Sequence, residues 1–234
     1  MGVAAASTLW HRLQHARSVL GSPRTLTLAP RWALRPEYLV LVADLSSGRK
    51  LPEPSDAGEP VRWTAVTDVE ASLPRVVNPL LSVDEVARRR AEGQECDVAW
   101  LDGVPVHYRW ECRRPTYLPY LHKVFRPLEG DILVGEAFTR DGFRGRGLHW
   151  ISTLAGLRRA REQGLRRSIS LVAWWNAPAL HVVGRKAGRR LAGTAGCWHL
   201  GLAHRHFVTG GVRLTSDGVV YVAHDEPPAG VPHE

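Results

Sequence analysis

The segment Phe143-Arg144-Gly145-Arg146-Gly147-Leu148 is where this sequence offers chemistry. It stands directly ahead of an apolar-periodic run that reads as a helix over Leu148 to Gln163. The first turn of a helix carries backbone N–H groups with no helical partner, together with the positive end of the helix dipole. Glycines let the backbone close on a ligand without a Cβ in the way, and Arg144 and Arg146 add charge. A pyrophosphate suits such a loop, although a plain tight turn would use the same glycines. No Gly-Lys-Ser/Thr follows, so it is not a Walker loop, and it is not a GxGxxG fingerprint.

Several elements must hold that loop. Asp131 to Thr139 reads as the strand before it, Gly164 as the stop of the helix after it, and Ser168 to Trp175 as the next buried strand. Pro178 suits the first turn of a second helix, running to Ala187 and stopping at Gly188. Upstream, Asp97 to Leu101 and Val104 to Glu111 flank Asp102-Gly103, a hairpin signal. In the second of these runs Val106, Tyr108 and Trp110 share one face, and His107, Arg109 and Glu111 the other, a polar one. Val61 to Thr67 alternates as a strand. Ser82 to Ala91 reads as a helix with Ser82 as N-cap and Glu85 completing a capping box. Strand-like stretches recur at Leu191 to Leu202, His206 to Val208 and Val219 to Val222. Residues 1–60 read as an arm and linker, with an amphipathic helix over Ser7 to Leu20, a buried strand at Tyr38 to Leu45 and a Gly/Pro-broken stretch from Ser46 to Pro60. The fold class expected for 61–208 is a mixed α/β domain around one sheet. Residues 209–234 add a strand and a loose tail from Asp225 to Glu234.

The bulk composition narrows the partners. With 234 residues, 44% of them hydrophobic, the chain can bury a core without disulfides or a structural metal. Cys96, Cys112 and Cys197 are far apart and form no CxxC pair, which argues against a disulfide framework and a zinc site and for a reducing, cytoplasmic setting. No apolar run is long enough for a membrane span. The formal charge of +8 favours anionic partners, but the arginines are scattered, which disfavours nucleic acid.

From about Val61 to Val208 the chain resembles the GNAT superfamily of N-acetyltransferases. The strand Asp131 to Thr139, the Arg144-Gly145-Arg146-Gly147 turn and the helix after it look like that family's cofactor motif, Arg/Gln-x-x-Gly-x-Gly/Ala. Arg144 and Gly147 match its first two fixed positions, and His149 departs from the third. Asn176, ahead of Ala177-Pro178-Ala179-Leu180, matches a recurrent asparagine. The resemblance implies a central twisted sheet flanked by helices, with the first 60 residues outside it. It implies acetyl-CoA or another acyl-CoA as the acyl source. Two neighbouring parallel strands, Asp131 to Thr139 and Ser168 to Trp175, are expected to splay around it. Backbone at Phe138 and Thr139 would take the thioester, and the amides of Arg144 to Leu148 the pyrophosphate, with His149 and Asn176 contributing binding.

Acyl transfer to an amine further requires a base, and donors for the developing oxyanion. Glu136, placed by alternation on the face of Val134 and Phe138, is the candidate base, since an isolated carboxylate in apolar surroundings has a raised pKa. His107 and Glu111 are expected to line the acceptor side. The second helix lacks the family's tyrosine, has a loop-to-glycine spacing about one residue too long, and offers His181 in the tyrosine's place. The expected acceptor is a small-molecule or peptide amine, and the arm leaves room for a homodimer. Three alternatives stay open: a non-catalytic CoA- or nucleotide-binding module, an aminoacyl-tRNA-dependent transferase, and a nucleic-acid-binding protein.

Overall fold

The computed structural model describes residues 35–47, 50–51, 61–65, 72–200 and 203–223. The helix expected over Ser7 to Leu20, most of the linker before Pro60 and the tail from Asp225 lie outside the described residues.

Twelve described strands make two sheets. The larger comprises β1 (Glu37–Asp44), β2 (Arg62–Ala65), β3 (Glu95–Leu101), β4 (Val104–Cys112), β7 (Asp131–Thr139), β8 (Arg167–Ala173), β9 (Arg190–Leu200) and β10 (Ala203–Val208). The smaller comprises β5 (Thr116–Leu118), β6 (Lys123–Phe125), β11 (Val212–Leu214) and β12 (Val219–Val222). The larger sheet runs β10-β9-β1-β8-β7-β4-β3-β2, the smaller β11-β12-β6-β5. In the larger sheet β7 and β8 are the parallel pair. The β3–β4 hairpin turns at Asp102 and Gly103, both with positive φ (49° and 76°), the geometry that Asp-Gly favours. The single sheet expected from the sequence is thus two, because strands of three or four residues leave almost no periodic signal.

Strand β1 corrects the expected arm. It lies inside the larger sheet, antiparallel to β8 on one side and β9 on the other, with Val40 and Val42 in the core. Its apolar run is that of a strand covered on both faces.

One face of the sheet carries two different layers. Helices α1 (Leu73–Val77) and α2 (Val83–Ala91) lie over β3 and β4, where Val77, Leu81 and Val86 pack on Val98, Tyr108 and Trp110. The small sheet lies over β1 and β8, where Leu121, Phe125 and Val220 pack on Val40, Val42 and Ile169. The opposite face carries α3 (Leu148–Glu162), through Leu157 and Ala160 against Ile132, and a π-helix (Leu180–Lys186), through Val183 against Leu41 and Val172. Ser82 caps α2 as expected, its Oγ accepting from Glu85 N at 3.1 Å, but the Glu85 carboxylate serves Arg88 and Arg89. The second helix expected from Pro178 is a three-residue α4 (Ala177–Ala179) running into the π-helix, where Ala187 N reaches Val182 O at 3.1 Å and Arg189 N reaches Gly184 O at 3.0 Å. A π-turn takes up one extra residue, which accounts for the long spacing.

The strand before the glycine loop is not regular. Arg109 pairs with Ala137 but Glu111 pairs with Val134, so β7 spends one more residue than β4 between those rungs. That is a β-bulge, and it moves Phe138 onto the face of Leu133, five residues earlier. Parallel pairing with β8 runs Asp131↔Arg167 to Val134↔Ser170 and stops there. Beyond it β7 pairs only with β4 and β8 only with β1.

Under α3 lies a buried ion cluster. Arg109, 4% exposed, donates to Ser152 O and pairs with Glu111 (2.9 Å) and Asp97 (3.5 Å), both also bound by Arg159. Gly156 makes room for it, since a Cβ there would stand 2.1 Å from Arg109 Nη1. Helix propensity favours alanine over glycine by about 1 kcal/mol, yet Arg109 has nowhere to retreat. Gly156→Ala is therefore expected to destabilise the fold by roughly 2–4 kcal/mol in urea unfolding, the roughly 3–5 kcal/mol of a broken buried ion pair less the gain in helix propensity. A stabilised Gly156→Ala protein would contradict this packing.

Candidate functional site

The loop between β7 and α3 is held open by three glycines. Gly142, Gly145 and Gly147 have φ of 85°, 81° and 74°, and a Cβ on any of them would meet nothing within 4 Å. Gly147 is the N-cap of α3, no described side chain caps it, and the first turn holds no acidic residue. The N–H groups of Leu148, His149 and Trp150 are thus left to a ligand or solvent. Leu148 is buried against Ala99, Leu101 and Val106, which anchors the helix start. Val106 joins that cluster, not the face of Tyr108, because β3–β4 pairing slips a residue beside it. Arg144 closes the turn as well as charging it. Its Nη2 pairs with Asp141 at 3.0 Å, its Nε donates to Thr139 O at 3.3 Å, and its guanidinium lies 5.4 Å from the Phe138 ring centre. Arg146 lies over Phe143 at 5.2 Å.

The parting of β7 from β8 supplies the second half of the site. Arg140 N donates to Val106 O, and backbone groups alternate sides along a strand. Phe138 therefore directs its backbone to Tyr108 on β4, while Ala137 and Thr139 direct theirs into the opening. Of the two residues expected at a thioester, Thr139 turns its backbone to the opening and Phe138 does not. The opening lies between the part of the sheet covered by α1 and α2 and the part covered by the small sheet.

No family model and no curated protein matches the sequence. Solved structures do match. A GCN5-related glucosamine N-acetyltransferase region of a fungal multi-domain GH3 β-N-acetylglucosaminidase aligns with a TM-score of 0.52 at 12% identity, over 80% of this chain and 23% of that one. The fold is that of the GNAT superfamily. A GCN5-related N-acetyltransferase from Sphaerobacter thermophilus aligns at 0.47 and 16% identity, over 81% of this chain, and the chain spans 56% of its length. An aminoglycoside N-acetyltransferase solved with CoA aligns at 0.38 and 19% identity, over 53% of this chain and 86% of that one.

Within this GNAT fold the residues expected to move protons are rearranged. Glu136 is not an isolated carboxylate. It is ion-paired to Arg89 at 2.8 Å, accepts from the Tyr108 hydroxyl, and its side chain is 39% exposed beside the opening. The bulge takes it off the face of Val134. His107 and Glu111 do not line an acceptor surface but lie buried beneath α3, where Glu111 belongs to the ion cluster. His149 does not lean over the loop. Its ring stands edge-on to His107, 5.9 Å away. His181 is exposed on the π-helix. Asn176 caps α4, its Oδ1 accepting from Ala179 N at 3.2 Å.

The sequence reading missed Arg89, Tyr108 and Asn78. Asn78 donates to the Tyr108 hydroxyl at 3.1 Å, which donates to Glu136, and Arg89 bridges Glu136 to Glu85. Burial opposes the Arg89 charge, but Glu136 and Glu85 outweigh it and hold its pKa above the ordinary arginine value. Burial, then the Glu136 carboxylate, lifts the Tyr108 hydroxyl well above its ordinary range. The one sequence signal was Tyr108 sharing a face with Trp110; nothing local links Arg89 to a residue 47 positions away.

The two imidazoles titrate low. Burial, with His149 and Arg109 close by, holds His107 well below 6.5; burial, with Arg109 and Arg189, pushes His149 down to about 4. Between pH 6.5 and about 4 the unfolded chain binds the His149 proton and the folded one does not. The stability is thus complete above 6.5 and is lost as the pH falls. Urea unfolding at pH 7 and pH 5 should show His149→Gln losing less stability than wild type, by on the order of 2 kcal/mol. Equal losses in the two proteins would refute the neutral, half-buried His149.

Proposed function

We propose that the chain is an acyl-CoA-dependent N-acyltransferase that moves an acetyl group from acetyl-CoA to a primary amine by direct attack. The observation that carries this reading is the coincidence of two openings: strands β7 and β8 part after Val134 and Ser170, and the uncapped glycine loop begins where β7 ends. A long ligand with a pyrophosphate and a peptide-like arm fits both. The N–H groups of Leu148, His149 and Trp150 would hold the pyrophosphate, with Arg146 adding charge. Backbone of Ala137 and Thr139 would pair with the arm, as an added strand does. Acetyl-CoA supplies the acyl group already activated as a thioester.

Glu136 serves the acceptor side. It is a carboxylate beside the opening, and its pairing with Arg89 and Tyr108 holds it aimed. It attracts an ammonium group and takes up its proton, directly or through one water. The backbone N–H groups turned into the opening would donate to the oxyanion that develops during attack. The acceptor is a small-molecule or peptide amine. Three buried cysteines, none in a CxxC pair, suit a reducing cytoplasm. The Arg89 pairing also favours a second reading, a CoA-binding module without turnover, because an ion-paired carboxylate is a weak base.

Thermal unfolding with acetyl-CoA at about 100 times its Kd should show about 2.7 kcal/mol of added stability. Arg144→Glu, which breaks the Asp141 pair and adds a negative charge to the loop, should abolish that gain. A well-folded wild type indifferent to acetyl-CoA would remove the proposal. With an amine panel and thiol release as readout, Glu136→Gln should lower kcat by roughly 10²-fold and flatten the acid limb of the pH–rate profile. An unchanged profile assigns the proton transfer elsewhere, and no wild-type turnover on any amine selects the binding-module reading.

A further inference from the structure

We propose that His107 and His149 form a clamp beneath the glycine loop, positioning residues that hold its two ends at the spacing an acyl-CoA pyrophosphate needs; this rests on the acyl-CoA reading above. The loop leaves β7 at Thr139 and enters α3 at Leu148. His107 stands opposite Thr139 in the β4–β7 register, in a rung whose backbone groups turn away from each other and whose side chains therefore approach closely. The two share a hydrogen bond at 2.8 Å between His107 Nδ1 and Thr139 Oγ1. Thr139 O in turn accepts from Arg144, which is locked to Asp141. One chain of contacts thus runs from the sheet interior to the middle of the loop.

His149, the second residue of α3, holds the other end. Its ring meets His107 edge to face, and its carbonyl accepts from Thr153 Oγ1, one turn on, at 2.8 Å. Trp63 closes the far side of His107, its ring 6.0 Å away and nearly perpendicular. His107 is wholly buried, and its Nε2 finds no hydrogen-bond partner among the described residues. An imidazole kept inside the protein with one nitrogen unpaired costs stability, which a purely apolar side chain there would not. The other nitrogen is spent on the residue that starts the loop. The geometry therefore assigns the cost to loop position and not to core packing.

The test is acetyl-CoA binding by calorimetry, with unfolding of the ligand-free protein measured alongside. His107→Leu fills the core but loses the bond to Thr139, and should weaken binding about tenfold, the worth of one well-placed hydrogen bond. His107→Asn, whose amide can reach Thr139 Oγ1, should recover most of it. In turnover, KM for acetyl-CoA should rise while kcat stays near wild type. Thr139→Val removes the same bond from the other side and carries the test if His107→Leu does not fold. A double variant with His149→Ala should be less than additive, because both act on one loop. Wild-type affinity in both His107→Leu and Thr139→Val overturns the clamp and leaves the acyltransferase reading standing. A folded wild type with no affinity for acetyl-CoA overturns both.

Discussion

One extra residue in β7 governs much of this molecule. Strand β4 spends Arg109, Trp110 and Glu111 where β7 spends Val134 to Ala137. A strand cannot carry an unmatched residue and stay parallel to both neighbours, so it bends and twists at that point. β7 keeps its pairing with β4 and gives up its pairing with β8. The break creates a gap inside a sheet whose interior would otherwise be sealed. It also changes the parity of the strand, bringing Glu136 and Phe138 to the face of Tyr108. The gap, the carboxylate beside it and the direction of the backbone groups facing it follow from a single irregularity.

The rest of the fold supports that gap from both sides. On one face, two separate layers meet near it: the α1–α2 layer over β3 and β4, and the small sheet over β1 and β8. On the other, α3 stands on a charged interior of Arg109, Asp97, Glu111 and Arg159. Buried ions of this kind contribute little net stability, but they tolerate few arrangements. With Gly156 admitting the Arg109 guanidinium, they fix where α3 sits. Its first turn is then held at the mouth of the gap, where its unpaired N–H groups can act on a ligand.

The two imidazoles and the Glu136 network divide the site between structure and chemistry. His107 and His149 lie below the loop in an environment that favours their neutral forms. Glu136, with Arg89 and Tyr108, lies on the opposite face, partly exposed and ion-paired. Residues that look interchangeable as acid–base candidates are thus sorted by the face of the sheet they occupy.

By itself the sequence determined the local pieces. Asp-Gly between two β-prone runs specified the β3–β4 hairpin, Ser82 specified the start of α2, and β7 was bounded at Asp131 and Thr139. The glycines and arginines before Leu148 specified an open loop at a helix start. These follow from backbone preference and short-range hydrogen bonding, which a few neighbouring residues settle. Tertiary structure decided what depends on partners far along the chain. The place of β1 between β8 and β9 needed strands more than 120 residues away. The faces of Glu136 and Val106 depended on how many residues the facing strand spends, which alternation along one strand cannot reveal. Whether His107 and Glu111 meet water or the underside of α3 depended on where that helix docks, and the partner of Glu136 on a helix 47 residues upstream. Periodicity reports a residue's side of its own element; burial and charge state are set by what covers that side.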